Sequence, residues 1–360
     1  MLSGLPNIAD KNFIIGFFLP VVLVLFAAAW AFPDIAVLAP LRTAQDKTLG
    51  DLAWQVLAVW TISVALYTTN HLQYRILEGY LPPVAWCFWM RWWQQRRFNR
   101  MTRRIGAIAQ QWRDAIHDGL PFPTERQDEI SKLVLRLFDE FPARSDPDDP
   151  YRFVADGLLP TRFGNAIHSF ELYANIVYGV DTIPIWLRLA SVVPKDFTAE
   201  VEDSRAQVNC FMNICYLALA LCVFALGRIG YAADWRYMVE PTTGMPTRAL
   251  VFANLPIGSG YDAEIALCCL VAAWLAYRWA TALVGAWGDL VKSAFDCYLA
   301  ALIKQLGYAV PTQARERQAF WSEFNAQAVY RLPLATAWKL ASTDSQATGD
   351  GGGAAGSELS

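Results

Sequence analysis

Four long apolar runs dominate what this chain can become: residues 13–32, 52–69, 208–227 and 265–285. Each approaches the ~20 helical residues that cross a hydrocarbon core of about 30 Å. The expected fold class is all-α, an integral membrane protein with four transmembrane helices. Composition agrees, because 55% hydrophobic and 14% aromatic residues exceed ordinary globular usage. Fifteen tryptophans point the same way, since an indole suits the boundary between hydrocarbon and headgroups. The first run is too long for a signal-peptide core and follows no basic segment, so an uncleaved span is expected. Pro20 near its middle predicts a kink.

Orientation follows from the distribution of positive charge. Arg91, Arg96, Arg97, Arg100, Arg103 and Arg104 cluster after the second run, whereas loops 33–51 and 229–264 carry two Lys or Arg each. The positive-inside bias then makes the region between spans two and three, and both termini, cytoplasmic. The expected layout is a hairpin over 1–80, a cytoplasmic helical domain over 81–206, a second hairpin over 207–290, cytoplasmic helices over 291–342 and a disordered tail over 343–360. The net charge of −3 supplies no global field for nucleic acid, so no such partner is expected.

Within 81–104, Trp86, Trp89, Trp92 and Trp93 stand beside Arg96 and Arg97. That pattern suits a segment at headgroup level. Read plainly it is an orientation anchor; its arginines can also hold anionic lipid, at about 1 kcal/mol per charge. Amphipathic spacing predicts helices over 96–117 and 124–141, with SDPDDP at 145–150 as a turn or linker. Residues 196–205 read as a helix feeding span three. Span four should run on through Phe295, Leu299 and Leu302, with Gly307 as its stop, before a helix over 312–330.

Polar residues inside spans receive a functional reading first, because they are costly there. Arg278 lies about 20 Å into span four at 1.5 Å per residue, and Asn209 and Asn213 face one side of span three. Asn70 and His71 close span two, and Trp274 stands one turn before Arg278. These six are the candidates for lining a pore or cavity. The plainer reading has Arg278 stacked on Trp274 and the asparagines as interhelical hydrogen bonds.

The stretch LLPTRFGNAIHSFELYANIVYGVDTIPIWLRL (158–189) is more particular than a connector needs to be. Thr161 can cap a helix and Gly179 can stop it. Arg162, Asn165, Glu171, Tyr178, Asp181, Trp186 and Arg188 are its distinctive members, with Arg162 and Arg188 free to pair with Glu171 and Asp181. TRFGN, the Glu171-x-Tyr173 pair, YGVD and W-x-RL, together with LEGY (77–80) and FDCYLAALIKQLG (295–307), resemble a group of uncharacterised bacterial membrane proteins. The resemblance covers most of 10–310. It implies a multi-pass protein of the bacterial inner membrane and no assigned chemistry.

Enzymology finds little support. The seven cysteines form no spaced pairs flanked by histidine, the three histidines have no ligand spacing, and no phosphate loop, HExxH or GxSxG occurs. No metal, no cofactor and no catalytic residue is expected. The leading expectation is an oligomeric channel with a cytoplasmic vestibule, since four spans per subunit make a poor monomeric pore. The alternative is a non-catalytic membrane-anchored scaffold whose cytoplasmic surface binds a protein partner.

Overall fold

The computed structural model describes residues 10–35, 38, 41, 49–232, 235–239, 246–250 and 258–333. The chain is mostly helical. In order it runs through α1 (Lys11–Ala31), α2 (Leu49–Glu78), α3 (Phe88–His117), α4 (Thr124–Glu140), strands β1 (Ala143–Ser145) and β2 (Phe153–Ala155), α5 (Arg162–Tyr178), α6 (Thr182–Leu189), α7 (Lys195–Ala232), β3 (Trp235–Val239), β4 (Pro246–Leu250), α8 (Gly258–Gln305) and α9 (Ala314–Tyr330). Four of these helices, α1, α2, α7 and α8, are long and apolar enough to cross a membrane. They contain the four apolar runs except for Phe32, which follows the last residue of α1, and α7 and α8 extend well beyond them, as the periodicity at 196–205 and 295–306 predicts.

Two antiparallel hairpins depart from the all-α expectation. β1 pairs with β2 and β3 with β4. The first closes around SDPDDP, where the Asp146 carboxylate accepts from the Asp148 N–H at 3.1 Å and the Asp149 carboxylate from the Tyr151 N–H at 3.1 Å. Three-residue strands are too short to show a period of two, so only their turn is readable in advance. The expected tail at 343–360, most of the loop at 33–51 and parts of that at 229–264 lie outside the described residues.

Two compact units make up the chain: one runs to Phe170 and includes Lys195–Val291, the other comprises Glu171–Pro194 and the residues from Lys292 onward. In the first, α7 is the hub of the spans. Cys215 and Ala218 of α7 meet Ala273 and Ala276 of α8, and Cys222 and Ala225 meet Ala28, Phe32 and Ala266. The small residues of span four thus serve contact within the chain. Arg228 of α7 joins the same three spans by ion pairs to Asp34 at 2.7 Å and Asp262 at 3.2 Å.

Span one is not a plain α-helix. A π-type segment, Ile14–Phe18, precedes Pro20, which cannot donate to the Gly16 carbonyl four residues back. Asn213 of α7 supplies the donor: its side-chain amide lies 2.7 Å from the Gly16 carbonyl oxygen. The same unit holds a second apolar core in which Ile105, Ile108 and Ala109 of α3 meet Ile130 and Leu137 of α4. Each larger side chain buried there contributes about 1.5–3 kcal/mol.

In the second unit the apolar face of the end of α8 (Phe295, Leu299, Leu302, Ile303) is buried, as are Val180, Ile185 and Leu189. Phe320, Trp321 and Phe324 of α9 form a ring cluster, and Tyr178 meets Trp321 edge-on at 6.4 Å. Gly307, at φ +79°, ends α8. The Gly307 N–H bonds back to Lys304 and the Tyr308 N–H to Ile303, the paired bonds that satisfy the last carbonyls of a helix.

Candidate functional site

The TRFGN segment is built almost wholly by local bonds. Thr161 caps α5 by accepting from the Gly164 N–H at 2.8 Å, and its hydroxyl donates to the Leu77 carbonyl at the end of α2 at 2.6 Å. Gly164 must be glycine, because a Cβ there would stand 2.4 Å from the Glu78 carbonyl oxygen. Asn165 ties the preceding loop, accepting from the Leu159 N–H and donating to the Leu159 and Thr161 carbonyls. Phe163 is fully buried with its ring 5.6 Å from that of Tyr74. Two further orphan N–H groups of the helix start, those of Arg162 and Phe163, donate to the Tyr277 hydroxyl of α8 at 3.2 and 3.3 Å. Four of the five residues are thereby accounted for as joinery between α5, α2 and the preceding loop.

The fifth, Arg162, lines a cavity. About 290 Å³ in volume, it is bounded by Arg97 of α3, Arg136, Asp139 and Glu140 of α4, Arg162 and Ala166 of α5, and Arg278, Thr281, Ala282 and Gly285 of α8. Four guanidinium groups therefore face two carboxylates. Glu140 binds two of the four, pairing with Arg97 and with Arg136 Nε at 2.8 Å. Among the described residues, no carboxylate lies within ion-pair distance of Arg162 or Arg278. Arg278 instead rests with its guanidinium 5.8 Å from the Trp274 ring. Arg97 registers the crowding: burial lowers its pKa, Glu140 raises it in part, and Arg162, Arg136 and Arg278 push it down further. Four arginines held together with only partial neutralisation form an electropositive pocket that favours an anion.

The other span residues singled out as pore or cavity candidates lie elsewhere. Phe211 stacks on Trp279 at 6.0 Å, so the level of Asn209 and Asn213 matches that of Arg278. Their side chains nevertheless serve other faces: Asn209 accepts from the Tyr74 hydroxyl at 2.9 Å and Asn213 serves Gly16. His71 is exposed, and half-buried Asn70 has a side-chain oxygen with no hydrogen-bond partner among the described residues. Trp274 stands exposed beside Arg278.

The remaining motif residues belong to the second unit. Tyr173 and Tyr178 both donate to Asp296, at 2.9 and 2.7 Å, which joins the E-x-Y and YGVD stretches to FDCY. Burial first, and then the Asp296 carboxylate, push the Tyr173 hydroxyl up to about 12 and raise Tyr178 for the same reasons. Among the described residues Asp181 pairs with no arginine; its carboxylate accepts from the amides of Asn175 at 2.8 Å and Asn325 at 3.2 Å. Arg188 is exposed and donates to the Pro184 carbonyl. Glu171 presents its carbonyl to the Thr182 hydroxyl, and the Trp186 ring lies 6.3 Å from Phe295.

Of the interface candidates, Trp86, Trp89, Trp92 and Trp93 are exposed and Arg96 stacks 3.4 Å over Trp92. Arg97 turns away from that group into the cavity. Sequence reasoning passed over Arg136, Asp139, Glu140, Tyr277 and Thr281, whose only local signal is the i, i+4 spacing of Arg136 and Glu140 on an ordinary amphipathic helix. Comparison with family models, curated proteins and solved structures gives no match.

Proposed function

We propose that this is an oligomeric anion-conducting pore of the bacterial inner membrane, with the region between spans two and three and both termini in the cytoplasm. The supporting observation is the arginine cavity, in which four arginines face two carboxylates and leave an excess of positive charge beside span four. In this reading the cavity is the cytoplasmic mouth of the permeation path. It concentrates anions there, and the ion pairs of Glu140 keep Arg97 and Arg136 fixed. Thr281 places a hydroxyl in the same wall. The Arg91–Arg104 run and the exposed tryptophans beside it support the orientation.

This reading calls for a homo-oligomer, because four helices make a poor monomeric pore. Span two supports this: only 11% of its most apolar stretch is buried within the subunit, leaving faces for lipid and for a second copy. The mass of the purified protein in mild detergent tests the requirement. A ring of several subunits is expected, and a strict monomer contradicts the pore.

A second reading, a membrane-anchored scaffold without catalysis, draws on α6. Ile183 and Leu187 there are 68% and 81% exposed, an apolar pair suited to docking a partner protein.

A further inference from the structure

We infer that the arginine cavity is a binding site for the phosphate group of an anionic membrane lipid. The inference rests on the same cavity as the anion-collecting mouth, but it concerns occupancy and not conduction, so either can fail alone. Two features carry it. The first is the chemistry of the cavity: Arg162 and Arg278, from two different helices, present guanidinium groups with no carboxylate partner among the described residues. A planar guanidinium fork matches the oxygens of a phosphate, and a volume of about 290 Å³ takes a headgroup where a halide would leave it mostly empty.

The second feature is independent of charge. Leu267, Val271 and Trp274 are exposed along α8 at spacings of four and three residues, and Arg278 follows four residues later on the same face. The stripe is about 16 Å long at 1.5 Å per residue, and its polar end is the cavity. An apolar track ending at paired arginines has the shape of an amphiphile, with an acyl chain along the stripe and its phosphate between Arg162 and Arg278. A zwitterionic headgroup would bring its own cation into a pocket already in positive excess, so an anionic lipid is favoured.

The test is binding of phosphatidylglycerol and phosphatidylcholine to the purified full chain in detergent, followed by native mass spectrometry, with inorganic phosphate as competitor. Phosphatidylglycerol should bind better than phosphatidylcholine. R162Q/R278Q should lose about twenty-fivefold in that affinity, two cations near a headgroup each contributing roughly a factor of five. R188Q, an exposed arginine outside the cavity, should bind as the parent does. R162K/R278K retains the charge and keeps the comparison readable if the glutamine variant does not fold. Displacement of the lipid by inorganic phosphate would support phosphate recognition and identify a soluble anion as an alternative source. Equal affinity for the two lipids, or wild-type binding by folded R162Q/R278Q, overturns the inference.

Discussion

The side-chain amide of Asn213 lies 2.7 Å from the carbonyl oxygen of Gly16, which Pro20 leaves without its ordinary helical donor. The π-type turn of span one and an asparagine in span three are thus one feature. Asn213→Leu should destabilise the protein by about 1–3 kcal/mol, the penalty of leaving a buried carbonyl unpaired. Pro20→Ala restores the missing N–H, so the double variant should recover most of that loss. Unfolding in graded denaturing detergent measures both. If Pro20→Ala gives no recovery, the two residues are not coupled in this way.

Gly164→Ala should be the most damaging small substitution in the TRFGN segment. Its Cβ would meet the backbone of Glu78 at 2.4 Å, where no flexible side chain can yield. Overpacking of this kind costs about 1–3 kcal/mol, against about 0.8 kcal/mol for the single methyl group lost in Thr161→Ser, which keeps the hydroxyl that caps α5 and donates to Leu77. Thermal denaturation of the two variants side by side should rank them in that order.

Tyr173 and Tyr178 share Asp296, and both hydroxyls are held above the ordinary tyrosine range, Tyr173 at about 12. The folded state therefore retains protons that the unfolded chain releases near pH 10. Stability from this pair is fully present below pH 10 and is lost as pH rises through about 12. Tyr173→Phe/Tyr178→Phe should remove that component, leaving a shallower loss of stability between pH 10 and 12. Ultraviolet titration of the phenolate band should show the same two groups ionising late in the wild type. Ionisation of the whole set near pH 10 would contradict the geometry.

Much of the architecture is legible in the chain because its signals are local. The four apolar runs, the cap at Thr161, the stop at Gly307 and the extension of span four need only neighbours a few residues away. The candidate site is legible only in its most expensive member, Arg278, which stands out against an apolar helix. Its companions depend on contacts between distant segments: Arg97 meets Glu140 across 43 positions, and the Arg162 N–H meets Tyr277 across 115. Nothing at residues 136–140 distinguishes them from a solvated amphipathic face. Arg97 reads as part of the aromatic anchor because its neighbours at 92, 93 and 96 are, although its side chain takes the opposite direction. The asparagines of span three read as lining residues on cost alone; a proline in another span explains one of them.

The central claim is that the arginine cavity is the anion-collecting mouth of a pore, and the reversal potential of the purified protein in planar bilayers tests it most directly. Under a potassium chloride gradient the wild type should conduct with a reversal potential near that of chloride, and Arg278→Ala should move it toward zero. Absence of current from a folded oligomer, or a reversal potential unchanged in Arg278→Ala, would contradict the account.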